Sequence, residues 1–300
     1  MKQNERSGLL FALAGFAALS VGDIIVKSMA GMWPGPAIAT FRYIVGAFGL
    51  GTILAFREGP AGFALPGLKW QALRGFGVAI SAMAFFSAVQ LMPLAEATAI
   101  QFTSPMITAL LAAAILREPA RRSTWIASVV AFIGVLIVLR PNFAVLGVVA
   151  LLPVLSAFGM GVLMIGNRAV AGRASALSMQ FSVAFIGMLF MGAFALAGHL
   201  SGIPMLHISV PPWSVLARAG SIAFSASFAH TMIYLATTRA GAGTIAPMTY
   251  IQLLVAGMFG WFMFGEQPDL TALAGAGIIV AAGLYLWRSG KVVAEPQGTD

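Results

Sequence analysis

Apolar residues run through this chain in blocks of about 20, each closed by a short polar or Gly/Pro-rich stretch. The alternation every second position that marks a half-buried strand is absent. Ten such blocks can be read, at 8–29, 35–56, 72–91, 94–116, 124–140, 145–166, 176–198, 214–237, 242–264 and 270–287. At 1.5 Å rise per residue, about 20 residues cross a hydrocarbon core about 30 Å thick. Turn-forming residues fall between the blocks: Pro34-Gly35-Pro36, Gly59-Pro60, Pro66-Gly67, Pro93, Pro141-Asn142, Pro211-Pro212 and Pro268. The pattern predicts an all-α polytopic membrane protein with ten transmembrane helices. Composition agrees. Charged residues make up 9 % of the 300-residue chain and hydrophobic ones 60 %, whereas a soluble domain carries about 25 % charge.

The charges that remain set a topology. Ten spans place both termini on one side. With that side cytoplasmic, the inner segments hold Lys2, Arg6, Arg57, Lys69, Arg74, Arg117, Arg121, Arg122, Arg168, Arg173, Arg239, Arg288 and Lys291. The outer segments hold Arg140 and Arg218, with Glu266 and Asp269 in the last outer loop. Positive charge inside is the rule for membrane helices, so cytoplasmic N- and C-termini are expected. Residues 289–300 read as a disordered cytoplasmic tail. Lys2 and Arg6 ahead of an apolar run ending near Ala18-Leu19-Ser20 also resemble a signal peptide, but cleavage there would remove most of the first span and leave an odd count. The net charge of +8 does not point to nucleic acid, because no basic run exceeds Arg121-Arg122.

The chain also matches itself. A slide of 148 residues lays the third and fourth spans on the eighth and ninth without a gap. It puts Phe86-Ser87-Ala88 on Tyr234-Leu235-Ala236, Ala95 on Gly243, Gln101-Phe102 on Thr249-Tyr250, Ile107 on Val255 and Glu118 on Glu266. The fourth span closes with Leu116-Arg117-Glu118 and the ninth with Phe264-Gly265-Glu266. The two halves are 8–140 and 145–288. Each holds five spans, an odd number, so the second half enters the membrane inverted. Inverted repeats mark secondary transporters, whose halves exchange conformations to alternate access.

Ionisable groups inside spans are costly and face the bundle interior. Asp23 and Lys27 share a face of the first span, and Arg42 lies early in the second, so the three can meet. Three readings stay open for them: a self-neutralising cluster, snorkelling to the outer surface, or contact with a substrate or coupling ion. Glu96 follows Pro93 and suits a helix N-terminus. Ser227, His230, Tyr234 and Thr238 form a polar stripe on the eighth span, which faces either a cavity or a neighbouring helix. Asp23, Glu96 and His230 can each carry a proton, His230 with an ordinary pKa already near neutral. Gln101, Thr249, Tyr250 and Gln252 lie in the repeat-related spans, Ser81 and Phe85 share a face of the third, and Asn167 closes the sixth. Neutral polar and aromatic groups of this kind suit an amphipathic solute better than a bare ion, or they bond helix to helix. The expected cavity-lining or substrate-binding set is Asp23, Lys27, Arg42, Ser81, Phe85, Gln101, Asn167, His230, Tyr234, Tyr250 and Gln252. Small-residue pairs Ala47/Gly51 and Ala157/Gly161 suit close helix approach, and the tryptophans near span ends suit an interfacial belt.

Other chemistries are not supported. The chain has no cysteine, which excludes disulfides and thiolate metal sites. It contains no GxxxxGK[ST], complete GxGxxG, GxSxG or HExxH. No catalytic residue, metal or cofactor is expected. The expected partners are a small-molecule substrate and the lipid bilayer, with no nucleic acid; oligomeric state is open.

The ten-span layout, the paired (Leu/Phe)-x-Glu segments, Lys27 late in the first span and Arg42 early in the second resemble the EamA family of the drug/metabolite transporter superfamily. The resemblance covers about residues 8–288. Within that family the chain is similar to YddG-type amino-acid exporters. The resemblance implies ten helices around a central cavity, a bacterial inner-membrane location, and export of small metabolites such as amino acids, including aromatic ones. Organic cations are the alternative substrates. Lys27 and Arg42 can take a carboxylate, and Asp23 an ammonium.

Overall fold

A computed structural model describes residues 3–115, 117, 122–170, 172–240 and 246–291. Among these every regular element is helical. The helices are α1 (Gln3–Lys27), α2 (Gly35–Glu58), α3 (Leu68–Leu91), α4 (Leu94–Gln101), α5 (Ser104–Ile115), α6 (Arg122–Leu146), α7 (Leu152–Ala169), α8 (Ala176–Leu200), α9 (Trp213–Ala240), α10 (Ile251–Phe264) and α11 (Leu270–Lys291). Among the described residues eight segments are long and apolar enough to cross a membrane, α4 and α5 counting together as Leu94–Ile115. Met248–Phe264 is a shorter apolar helix, and α9 is long but more polar, carrying Arg218, His230 and Arg239.

Two boundaries differ from the sequence expectation. The span 94–116 is broken at Phe102-Thr103. Pro105 explains the break, because it offers no N–H to the Gln101 carbonyl one turn earlier. Conversely, Pro141 does not end α6. The helix runs on to Leu146, and the chain turns at Gly147, whose φ of 58° suits a residue without Cβ. Glu118 and residues 292–300, which include most of the expected tail, lie outside the described residues.

The core is built by pairing helices from the two halves: α1 on α9, α3 on α7, α2 on α8 and α6 on α11, with α3 also against α8 and α2 against α9. Close approach is carried by glycine. A Cβ on Gly159 of α7 would stand 2.6 Å from the Ser81 backbone nitrogen of α3, and one on Gly275 of α11 would stand 2.8 Å from the Gly134 carbonyl of α6. Beside the first crossing, the Ser156 hydroxyl donates to the Ser81 carbonyl at 2.8 Å. The α3–α7 seam thus uses Gly159, whereas Gly161 faces Ile107 and Leu111 of α5. Large apolar side chains such as Phe48, Phe56, Phe224, Leu254 and Phe262 cover the outside, as a lipid-facing surface requires. Trp125, Trp213 and Trp261 join them, but Trp33 is buried and donates from Nε1 to the Ser209 carbonyl at 3.2 Å. It ties the α1–α2 connection to the α8–α9 connection instead of sitting in an interfacial belt.

Candidate functional site: a cavity with one end closed by a buried ion pair

A cavity of 620 Å³ lies between α1, α2, α3, α4, α7, α8, α9 and α10. One face of α3 supplies its longest wall, through Arg74, Val78, Ser81 and Phe85, spaced by 4, 3 and 4 residues. The opposite walls bring Asp23, Arg42, Gln101, His230 and Gln252. Asp23 and Arg42 form no direct ion pair among the described residues, and both face the open space. The Arg42 guanidinium lies 5.5 Å from the ring centroids of Tyr43 and Phe86, within reach of their negative faces. Gln101 Oε1 is buried and has no hydrogen-bond partner among the described residues. Phe85, Phe86, Phe102, Met160 and Met164 make the rest of the lining mostly apolar.

The lining reaches Gly172 in the α7–α8 connection and Ala176 at the start of α8, beside Arg173 of the connection and near Arg168 at the end of α7. This connection meets the one between α2 and α3: Ser175 donates to Glu58, and Ser178 donates to the Gly62 carbonyl at 2.6 Å. Near this arginine-rich end sits Arg74, which is buried. Its Nε donates to Asn167 Oδ1 at 2.6 Å and its Nη2 to the Met179 carbonyl at 3.0 Å, while Nη1 donates to Gln71 Oε1 and to Ser182 Oγ.

Past Asp23, at the opposite end, the charged groups are paired. Lys27 Nζ forms a buried ion pair with Glu266 Oε1 at 2.5 Å. The same ammonium donates to the carbonyls of Val89 at 2.7 Å and Met92 at 2.8 Å. Glu266 Oε2 accepts from the Leu94 N–H at 2.8 Å, so the carboxylate also caps the start of α4. The three lysine N–H groups are all used, and the glutamate stands on the positive end of a helix. The latch therefore joins α1, the α3–α4 connection and the α10–α11 connection in one polar knot.

Of the residues singled out in the sequence, Asp23, Arg42, Ser81, Phe85, Gln101, Asn167, His230 and Gln252 line the cavity. Ser81 is nevertheless buried and engaged with Ser156. Lys27 does not join Asp23 and Arg42: its ammonium is spent on Glu266, one turn beyond Asp23. Tyr250 is not in the lining; it packs edge-on against Phe102 at 5.3 Å. The side chain of Tyr234 lies outside the described residues. Glu96 is buried in the first turn of α4. Sequence reasoning missed Glu266 and Arg74 as site residues. The doubled (Leu/Phe)-x-Glu signal already marked Glu266, whereas Arg74 was counted as a flanking charge because it lies near a span end.

Among the described residues no three His, Asp or Glu side chains gather as a metal site. Comparison with known proteins adds three relatives, each matched over nearly its whole length. The chain is 25 % identical over 285 residues to the S-adenosylmethionine uptake transporter of Rickettsia prowazekii, covering 95 % of this chain and 94 % of that one. It is 25 % identical over 290 residues to the pseudopaline exporter CntI of Pseudomonas aeruginosa, covering 95 % and 98 %. It is 26 % identical over 284 residues to the riboflavin transporter of Brucella anthropi, covering 93 % and 97 %. One relative is named for uptake and another for export, so the names fix no direction. A solved crystal structure shares the fold, with a TM-score of 0.58 over 97 % of this chain and 99 % of that one at 16 % identity. The EamA-like transporter family matches residues 6–140 and again 147–288. With a family match over most of its length, apolar helices and a walled cavity, the chain is a multi-pass membrane protein belonging to the EamA-like transporter family.

Proposed function

We propose that the protein is a secondary transporter that exports small amphipathic metabolites carrying an amino and a carboxylate group, amino acids above all, across the bacterial inner membrane by alternating access. In this reading ten helices form two inverted five-helix repeats, and the described conformer is open to the cytoplasm. The observation that carries it is the cavity itself: its lining runs from Asp23 and Arg42, which form no ion pair with each other, to Arg74, Asn167 and Gly172 near Arg168 and Arg173, while the Lys27–Glu266 pair lies one turn beyond Asp23. A zwitterion satisfies both charges at once. Its carboxylate suits the guanidinium of Arg42 and its ammonium suits Asp23, with Gln101 Oε1 as a further acceptor. The Phe and Met walls accept varied side chains. S-adenosylmethionine, the named substrate of one relative, carries the same amino-acid head group. The inverted repeat is supported by Phe102 and Tyr250, equivalent under the 148-residue slide, which meet ring to ring. Opening the outer end requires the latch to part.

The test is counterflow in proteoliposomes. Unlabelled amino acids are loaded inside and one labelled amino acid is supplied outside. Acceleration by some internal amino acids and not others establishes a carrier and its range. Failure of every amino acid sinks this reading and leaves organic cations, which Asp23 favours, as the next panel.

A further inference from the structure

Three cations belong to the cavity and its closed end, and their surroundings differ. Lys27 has Glu266. Arg42 shares the cavity with Asp23. Arg74 has no carboxylate among the described residues: every acceptor around it is neutral, from Asn167, Gln71, Ser182 and the Met179 carbonyl, with the Met179 sulfur a further neutral contact 3.3 Å from Nη1. A buried guanidinium held only by neutral groups keeps an uncompensated charge, which is costly unless an anion arrives. Those four acceptors use four of its five N–H groups and leave one on Nη2. The guanidinium is fixed by three helices at once, since Gln71 is on α3, Asn167 on α7, and Met179 and Ser182 on α8. It is thus a preorganised cation on the wall of the cavity near its mouth.

Resting on the substrate reading above, we propose that Arg74 is a docking station for the substrate's carboxylate at the arginine-rich mouth, from which the carboxylate passes to Arg42. The two stations are separate. Arg42 lies against Phe86, and Arg74 to Phe86 is about 18 Å along α3 at 1.5 Å per residue. One head group does not span that distance, so it visits the two in turn. An anion is drawn first to the uncompensated charge, then deeper to the site where Asp23 receives the ammonium.

The experiment compares L-phenylalanine with phenylethylamine, which lacks only the carboxylate, as internal substrates in counterflow. In Arg74→Gln the half-saturating concentration of phenylalanine rises about tenfold or more, the scale of one lost charged hydrogen bond, while that of phenylethylamine is unchanged. Arg74→Lys is intermediate. Asn167→Asp supplies a carboxylate beside Nε and produces the same selective loss with Arg74 retained; it carries the test if Arg74→Gln does not fold. Equal changes for both probes overturn the proposal, because Arg74 would then only pin α3, α7 and α8. The amino-acid reading can fail separately. If no amino acid drives counterflow in the wild type, Arg74 is tested by melting purified protein with propionate: the wild type is stabilised and Arg74→Gln is not. Stabilisation by phosphatidylglycerol but not by propionate overturns the proposal in favour of a lipid phosphate.

Discussion

At the scale of single residues, the cost of isolating a buried charge decides most outcomes. Replacing Lys27 by Met leaves Glu266 buried without its cation and the Val89 and Met92 carbonyls without their donor. Breaking a buried pair from one side costs about 3–5 kcal/mol. The double variant Lys27→Met with Glu266→Gln keeps no stranded charge, so its melting temperature is expected to lie well above that of Lys27→Met alone. Scanning calorimetry of the four proteins in the mutant cycle checks this. Asp269 offers a gentler case. Its carboxylate accepts from the Ala272 N–H at 2.6 Å and the Thr271 hydroxyl at 2.8 Å, capping α11 and holding its pKa below the ordinary carboxylate value. A depressed folded pKa stabilises fully above the unfolded value of about 3.9 and is lost as pH falls through the folded value. The difference in melting temperature between wild type and Asp269→Asn should therefore shrink on acidification below that range. Sequence alone made Asp23 and Arg42 candidates because intramembrane charge is rare. It could not separate Lys27 from them, since its partner Glu266 lies in a distant connection that spacing along one helix does not reach.

At the scale of elements, hydropathy located the helices, because lipid demands an apolar exterior and internal backbone hydrogen bonds. Their breaks were less legible. Pro105 interrupts its span and Pro141 does not, so the presence of a proline alone does not place a break. The pairing of helices was hidden for a similar reason. The small-residue spacing Ala157/Gly161 lies on α7, yet the close contact with α3 falls on Gly159, two residues along and about 200° around the helix. A Val at 159 would force its side chain into the α3 backbone, which must shift. A loss of about 1–3 kcal/mol or more is expected, and loss of the folded peak in size-exclusion chromatography after mild heating would register it. The same Val at Gly46, whose Cβ position meets nothing within 4 Å, should be tolerated.

For the whole molecule, the proposed reading implies sided access to the cavity. The chain has no cysteine, so a single Phe85→Cys is a clean reporter on the cavity wall. A membrane-impermeant maleimide should label it readily in inside-out vesicles and slowly in right-side-out ones. Adding Lys27→Met and Glu266→Gln should raise the slow rate several-fold; equal labelling from both sides in the parent would mean that the latch does not close the outer end. The latch has a further consequence, for how the chain is made. Its basic half is synthesised with α1 and its acidic half only after α10 has emerged, on the order of 240 residues later. In the interim the ammonium can reach the carbonyls of Val89 and Met92, 62 and 65 residues downstream, but no carboxylate from the α10–α11 connection. A nascent chain arrested before Glu266 keeps that charge without its carboxylate, which is costly at membrane depth. The α10–α11 hairpin thereby completes a contact that α1 leaves open.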